Sequence, residues 1–361
     1  MKVLLDIYLE KNLGDDLFLA SVLKRYPQHE FYTFTQMDYS DYEAEFSNLK
    51  IIKYNKYYNY LMVKTGQKNN LIKRFIKANK IDALASIGGS IFIEHEGWET
   101  NYKLRKELWN YFSNLGKPVY IIGSNFGPYT DEAFLDAYRS LLATVTDVCF
   151  RDEASYNLFK DLKNIRIAPD AIFSYKLKHE QIEENSLGIS VIDLKNRPDL
   201  AKYSDEYETK LVNIIYAALD AEKKIYLYSY CKAEGDEVAI ERIKNTYFAD
   251  NAQVIPYFYE QNLGAFMKKF SRMESMIATR FHSIVLSMVL DIPFFAINYS
   301  KKSDNLLNDL DVPVQIKHIQ KLSEVEENHI FDYMNRKDDI SKIVENAEKQ
   351  FAALDLLLSK S

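Results

Sequence analysis

Two doubly wound α/β domains, each a parallel sheet covered on both faces by helices, are predicted for this chain by three observations. Apolar strand-like runs alternate with segments of helical period along nearly the whole sequence. The length, 361 residues, exceeds what one hydrophobic core usually serves. A charged, polar stretch, KLKHEQIEENS at 176–186, separates two sets of strand–helix units. The predicted domains are therefore residues 1–175 and 187–361, with 176–186 as linker. Strands that alternate with helices form parallel sheets, and ligands of such folds sit beyond the carboxyl ends of the strands.

The elements follow in order. KVLLDIY reads as a first strand and GDDLFLASVLKRY as the helix after it; EFYTFT and LKIIKYN are the next strands. NLIKRFIKANK is helical and leads to the strand IDALASI, then GGS. YKLRKELWNYFSNLG is a helix that stops at Gly116, with Pro118 just beyond. PVYIIGSNFGP is a strand with its loop, TDEAFLDAYRSLLATV a helix, DVCF a strand, DEASYNLFKDL a helix, and IRIAPDAIF closes the first half. The second half opens with LGISVI and runs through DEYETKLVNIIYAALDAEK, KIYLYSY, GDEVAIERIKNTY, NAQVIPYF and YEQNLGAFMKKFSRM. It continues through ESMIA, SIVLSMVLDI and IPFFAIN. The tail, ISKIVENAEKQFAALDLLLSK, has apolar residues at helical spacing and is expected to be one long helix packing across the domain junction.

Composition narrows the function. Hydrophobic residues at 47% and charged residues at 27% are ordinary for a globular protein. A net charge of -6 leaves no Lys/Arg excess to displace counterions from nucleic acid, although a local basic pocket for a small anion is compatible with it. No run of about 18 apolar residues marks a membrane span. The amino-terminal apolar run is too short for a signal peptide, so a cytoplasmic protein is expected. Two cysteines, Cys149 and Cys231, both at strand ends, read as buried thiols rather than a disulfide or zinc site.

Polar and glycine-rich signals fall at the predicted strand ends. NLGDD places Gly14 and Asp15 at a helix start, where glycine admits close approach and aspartate caps. Gly88, Gly89 and Ser90 follow a strand, and Gly123, Ser124 and Asn125 follow the next, offering backbone N–H groups to an anion or a sugar. None of these loops has the spacing of a phosphate-binding or dinucleotide loop. Arg151 ends the strand DVCF; pairing with a surface carboxylate and facing a ligand are equally good readings of it alone. Pro169 and Asp170 read as a rigid turn.

The strongest signal is TRFHSIVLS at 279–287, where Arg280 and His282 stand between a buried strand and a buried helix. A helix start attracts anions, a guanidinium forks onto carboxylate or phosphate, and a histidine exchanges protons near neutral pH. These residues are expected to hold and work on an anionic small molecule. His95 and Glu99, four apart beside Glu96, have metal-ligand spacing only if helical, and a surface or acceptor-side cluster is the better reading. No Gly-x-Ser-x-Gly elbow supports a serine hydrolase.

Taken in order, NLGDD, GGSIF, GSNFGP, FRDEAS, APDAIF and TRFHSIVLSMVLDIPFFAINYSKK resemble the polysaccharide pyruvyl transferase family. Two departures are Ser90, where a third glycine is common, and Asn125, where glycine is expected. The resemblance implies two Rossmann-like domains in a glycosyltransferase-B-like arrangement, acceptor side first and donor side second. It implies transfer of a pyruvyl group from phosphoenolpyruvate, a co-substrate, to a sugar as a cyclic ketal, with no cofactor and no metal. Arg280, Arg151, Ser283 and Lys301 would serve the donor, and His282 with Asp15 the chemistry. Asn12, Gly14, Gly88, Gly89, Ser90, Gly123, Ser124 and Asn125 would form loops or meet the acceptor. A lipid-linked acceptor would bring the enzyme to the inner face of the membrane. A glycosyltransferase using a nucleotide sugar is the alternative.

Overall fold

Thirteen parallel strands in two sheets carry the architecture of the computed structural model, which describes residues 1–310, 316–334 and 339–359. The first sheet comprises β1 (Lys2–Ile7), β2 (Glu30–Thr35), β3 (Leu49–Lys53), β4 (Ala83–Ile87), β5 (Val119–Ser124), β6 (Asp147–Phe150) and β7 (Ile165–Ile167), in spatial order 3-2-1-4-5-6-7. The second comprises β8 (Glu183–Ser190), β9 (Lys224–Tyr228), β10 (Val254–Tyr257), β11 (Met273–Ala278), β12 (Phe294–Asn298) and β13 (Ile316–His318), in order 10-9-8-11-12-13. Each is a Rossmann-like doubly wound sheet, the fold class expected from the sequence. The order reverses between β1 and β4 in one and between β8 and β11 in the other, and ligands bind such folds at that reversal.

Burial explains the strand composition. β4 and β5 are buried at every residue, as continuous apolar runs require when helices cover both faces. The aromatic core of the first unit includes Phe92, Trp109, Phe126, Phe134, Tyr138, Phe150 and Phe159. Three of these, Phe92, Phe126 and Phe150, belong to the glycine-loop and FRDEAS segments. Phe92 and Phe126 stack with centroids 5.8 Å apart, so the loops are pinned by the core beneath them. Cys149 and Cys231 are both free and buried, and burial pushes the Cys149 thiol up to about 12.

Several boundaries differ from expectation. The compact units are residues 1–9, 17–174 and 344 onward, and residues 10–16 with 175–343. The carboxyl-terminal segment thus belongs with the first unit, not the second. It is helix Ser341–Ala347, a 3₁₀ stretch Glu348–Phe351 and helix Ala352–Leu358 in place of one long helix. The reason is Gln350, which is fully buried. Its amide Nε2 donates to the carbonyls of Phe150 (3.2 Å), Ala168 (2.7 Å) and Pro169 (3.1 Å), while its Oε1 accepts from Gly123 N (2.9 Å). Arg25 adds a two-bond fork onto Asp355, at 2.9 and 2.8 Å.

The expected linker is also shorter than 176–186, because β8 starts at Glu183. Its carboxylate accepts from Tyr226 Oη (2.5 Å) and Lys269 Nζ (2.6 Å), so a charged residue can begin a strand. Helices Lys56–Lys64 and Lys301–Asp309 and strand β13 were not expected; each is short, at nine, nine and three residues. No helix among the described residues is long and apolar enough to cross a membrane.

Two outcomes are expected. Gln350→Ala takes the side-chain partner from Gly123 N–H and from the carbonyls of Ala168 and Pro169, while Phe150 O keeps its bond from Ala168 N. Urea unfolding should show a loss on the order of 3 kcal/mol, and an unchanged midpoint would remove Gln350 as the anchor. Burial alone would raise the Glu183 carboxyl, but Lys269, Tyr226 and Lys224 outweigh it and hold the group at about 2, below its ordinary 4.5. A depressed carboxyl stabilises above its unfolded pKa, and that contribution fades as pH falls toward the folded one. The melting-temperature gap between wild type and Glu183→Gln should therefore be largest above about pH 5 and shrink toward pH 2. A gap constant across that range contradicts the assignment.

Candidate functional site

Arg280 is the N-cap residue of helix Phe281–Val289, at the carboxyl end of β11 and next to the reversal point of the second sheet. Its backbone N–H donates to Ser190 Oγ, at the end of β8, at 3.1 Å. The side chain is 9% exposed and fully engaged. Nε donates to Asp236 Oδ2 (3.1 Å), Nη2 donates to Asp236 Oδ1, and Nη1 donates to Glu234. A second guanidinium, Arg197, donates to the same Glu234 oxygen at 2.5 Å. The guanidinium buried in apolar sequence is thus answered by two carboxylates that arrive from a different strand–helix connection.

Those carboxylates are held differently. Asp236 is fully buried and its Oδ2 also accepts from the backbone N–H groups of Tyr230 and Cys231, both at 3.0 Å. Burial pushes the Asp236 carboxyl up, against the pull of Arg280 and those donors. Glu234 ends a three-residue 3₁₀ turn, Lys232–Glu234, and its side chain is 38% exposed. Burial would raise it too, but Arg280 and then Arg197 prevail and hold it at about 2.

The NLGDD loop joins this cluster, because residues 10–16 belong to the second unit. Asn12 pairs with Cys231 as an isolated antiparallel bridge, and Leu13 N donates to Tyr230 O at 3.0 Å. Asn12 Oδ1 accepts from Gly14 N (2.9 Å), and its Nδ2 donates to Glu234 Oε1 (3.3 Å). Gly14 is glycine for a steric reason. A Cβ there would lie 2.0 Å from His282 Nδ1, so the imidazole rests directly on this backbone. His282 is half-buried in the first turn of its helix, edge-on to Phe281. Asp15 is half-buried in the first turn of helix Leu13–Arg25. Asp16 beside it is fully buried, and its Oδ2 accepts from Tyr259 Oη at 2.5 Å.

In the first unit a second buried arginine organises the remaining motifs. Arg151 Nη1 donates to Asp170 Oδ2 and Nη2 to Asn125 Oδ1, both at 2.7 Å, with side-chain exposures of 4% and 0% for the Arg151–Asp170 pair. Ser90 Oγ donates to Asn125 Oδ1 (3.3 Å), Ser124 Oγ to Gly88 O (2.8 Å), and Asn125 N to Gly89 O (2.7 Å). A Cβ on Gly89 would lie 2.5 Å from Arg151 Nη1. Gly123 is in the left-handed region at φ +74 and faces Phe18. Asn125, a departure from the expected glycine, is thus the residue that receives Arg151.

Some sequence expectations are corrected. Ser283 is fully buried and its hydroxyl donates to Arg280 O at 2.5 Å, so it braces the helix start rather than facing a donor. Lys301 is exposed, in the first turn of helix Lys301–Asp309. His95 precedes helix Trp98–Asn114, so His95 and Glu99 do not share a helical face. Its Nδ1 lies 3.0 Å from Ile93 O and its Nε2 accepts from Asn101 Nδ2 at 3.0 Å, which makes it a loop brace ahead of Glu96 and Glu99. Asp170, read as part of a turn, is the buried partner of Arg151. Asp236, Glu234 and Arg197 were not singled out by sequence; the one available signal was GDE after a strand, which reads as an ordinary helix start.

The contact between Gly14 and His282 yields a direct test. Gly14→Ala forces the imidazole off the loop, so the His282 ring resonances should move in NMR spectra while the far-ultraviolet circular dichroism stays the same. Activity should fall by about tenfold or more, the scale of loss that a small displacement near a reacting centre generally causes. Unmoved His282 resonances would show that the ring does not rest on Gly14.

Comparison with known proteins bears on the fold and the family. The chain is similar to UDP-GlcNAc 2-epimerase from Methanocaldococcus jannaschii, with a TM-score of 0.65 at 11% identity over 99% of this chain and 100% of that one. It is also similar to Anabaena Alr3699/HepE in complex with UDP and glucose, with a TM-score of 0.56 at 11% identity over 100% and 98%. At such identities the likeness shows the fold alone. In sequence, the chain is 22% identical over 272 residues to the amylovoran biosynthesis protein AmsJ of Erwinia amylovora, covering 68% of this chain and 63% of that relative's length. The family model for polysaccharide pyruvyl transferase matches residues 12–301, from the Asn12 loop to the end of the Arg280 segment. The chain belongs to the polysaccharide pyruvyl transferase family.

Proposed function

We propose that the protein transfers a pyruvyl group from phosphoenolpyruvate to a sugar of a cell-surface polysaccharide or its precursor, forming a pyruvate ketal and releasing phosphate. The observation that carries this reading is the Arg280–His282 pair at the reversal point of the second sheet, with the imidazole seated against Gly14. A cation fixed at a helix start suits a donor with a carboxylate and a phosphate. A histidine two residues along supplies a proton at neutral pH.

The chemistry requires a proton on the donor's methylene carbon, which leaves positive character at the neighbouring carbon. One sugar hydroxyl adds there, and a second displaces phosphate to close the ring. Of the two hydroxyl protons lost, one balances the new methyl group and the other leaves with phosphate. His282 donates the proton to carbon and recovers one from a hydroxyl, and Asp15, in the same unit, orients the acceptor or the imidazole. Arg280 holds the donor's anionic end. Arg151, tied to Asp170 and Asn125, holds the loops of Gly88–Ser90 and Gly123–Asn125 in shape for the acceptor. A glycosyltransferase acting on a nucleotide sugar is the second reading, supported by the likeness in fold to a protein solved with UDP and glucose.

Calorimetric titration separates the two. Phosphoenolpyruvate should bind the wild type, and Arg280→Lys, which lacks the planar fork, should lose about tenfold in affinity or more. His282→Ala should keep donor binding and lose about 10²–10⁴-fold in turnover. Binding of a nucleotide sugar alone would replace the donor, and unchanged turnover in His282→Ala would remove the proton-transfer role.

A further inference from the structure

Arg280 and Arg197 converge on a single carboxylate oxygen of Glu234, and Asn12 Nδ2 donates to the other. Three donors from three separate chain segments around one carboxylate describe an anion site. Its occupant is part of the protein. We propose that Glu234 is a displaceable stand-in for the acidic group of the substrate, and that Arg197 is a further anion-binding residue of the donor site, released for binding when Glu234 swings out.

The two carboxylates on Arg280 differ in what holds them. Asp236 is fully buried, takes two guanidinium N–H groups and two backbone N–H groups, and has no route to solvent. Glu234 is 38% exposed, and it ends a single 3₁₀ turn followed by Gly235 at φ +86. Its departure therefore leaves Arg280 anchored by Asp236, with Nη1 turned toward the space that Glu234 vacates. Arg197 offers Nη2 there, and its Nε is buried without a hydrogen-bond partner among the described residues. Its guanidinium also sits over the Tyr299 ring at 5.3 Å, which keeps the plane oriented. Together Arg280, Arg197 and Asp236 carry one net positive charge once Glu234 is out, and zero with it in. A phosphate group, of higher charge than one carboxylate, competes favourably for the same donors. The exchange also raises selectivity, since a neutral ligand cannot displace Glu234.

Identifying that anion as phosphoenolpyruvate rests on the function proposed above, while the anion site itself is tested with inorganic phosphate. Glu234→Gln keeps the length and one acceptor for Asn12 but removes the competing charge. It should bind phosphate about tenfold more tightly than the wild type in calorimetric titration, a difference of about 1.4 kcal/mol. Glu234→Asp, one methylene too short to meet both guanidinium groups, should also gain, and Glu234→Gln combined with Arg197→Gln should lose the gain. Thermal unfolding checks that each variant is folded. Equal or weaker phosphate binding in both folded Glu234 variants overturns the proposal, as does a gain that survives loss of Arg197. If the gain appears but no variant binds phosphoenolpyruvate, the donor assignment fails and the anion site stands.

Discussion

The buried ion pair between Arg280 and Asp236 is the constraint on which the second unit's site depends. Removing one member of such a pair strands a charge in the interior and typically costs about 3–5 kcal/mol. Its value here is positional. Asp236 opens helix Asp236–Tyr247, and Arg280 caps helix Phe281–Val289, so one fork fixes two helix starts in the connections that follow β9 and β11, the strands on either side of β8. Asp236 also accepts from Tyr230 N and Cys231 N, the residues whose backbone receives the loop of Asn12 and Leu13. The position of Gly14, and hence of the ring of His282 against it, descends from this pair.

The first unit repeats the device with different parts. Arg151 and Asp170 form a buried pair, and a glycine, Gly89, clears space for the guanidinium as Gly14 does for the imidazole. Each weak glycine motif in the sequence thus has a specific large partner. Gly14 and Gly89 are short of a side chain because a cationic or titratable group from elsewhere in the same unit lies where the Cβ would be. The phenylalanines within the loops, Phe92 and Phe126, supply the apolar anchorage that lets such backbone sit still.

Electrostatic asymmetry links the structure to chemistry. Arg280 has one partner that is sealed in and one that reaches solvent, which is the arrangement expected of a cation that must stay placed yet exchange an anion. Ser283 and Ser287 belong to the sealed side: their hydroxyls donate to Arg280 O and Ser283 O, so they tie the helix to itself beneath the site. Tyr207 extends that layer toward Thr279, with its hydroxyl 3.4 Å from Thr279 Oγ1.

By itself the sequence determined the fold class and nearly all of the longer strands and helices, and it singled out Arg280, His282, Gly14 and Arg151 as candidates. Periodicity, glycine at strand ends and charge in apolar surroundings are local signals, and local signals survive in one dimension. The tertiary structure alone decided the partners. Asp236 lies 44 residues from Arg280 and Glu234 lies 37 from Arg197, and acidic residues at helix starts are too common to be singled out without the fold. It also decided that the chain beyond residue 343 packs on the first unit, because the bonds of Gln350 to Gly123, Phe150 and Ala168 span about half the chain or more and leave no periodic trace.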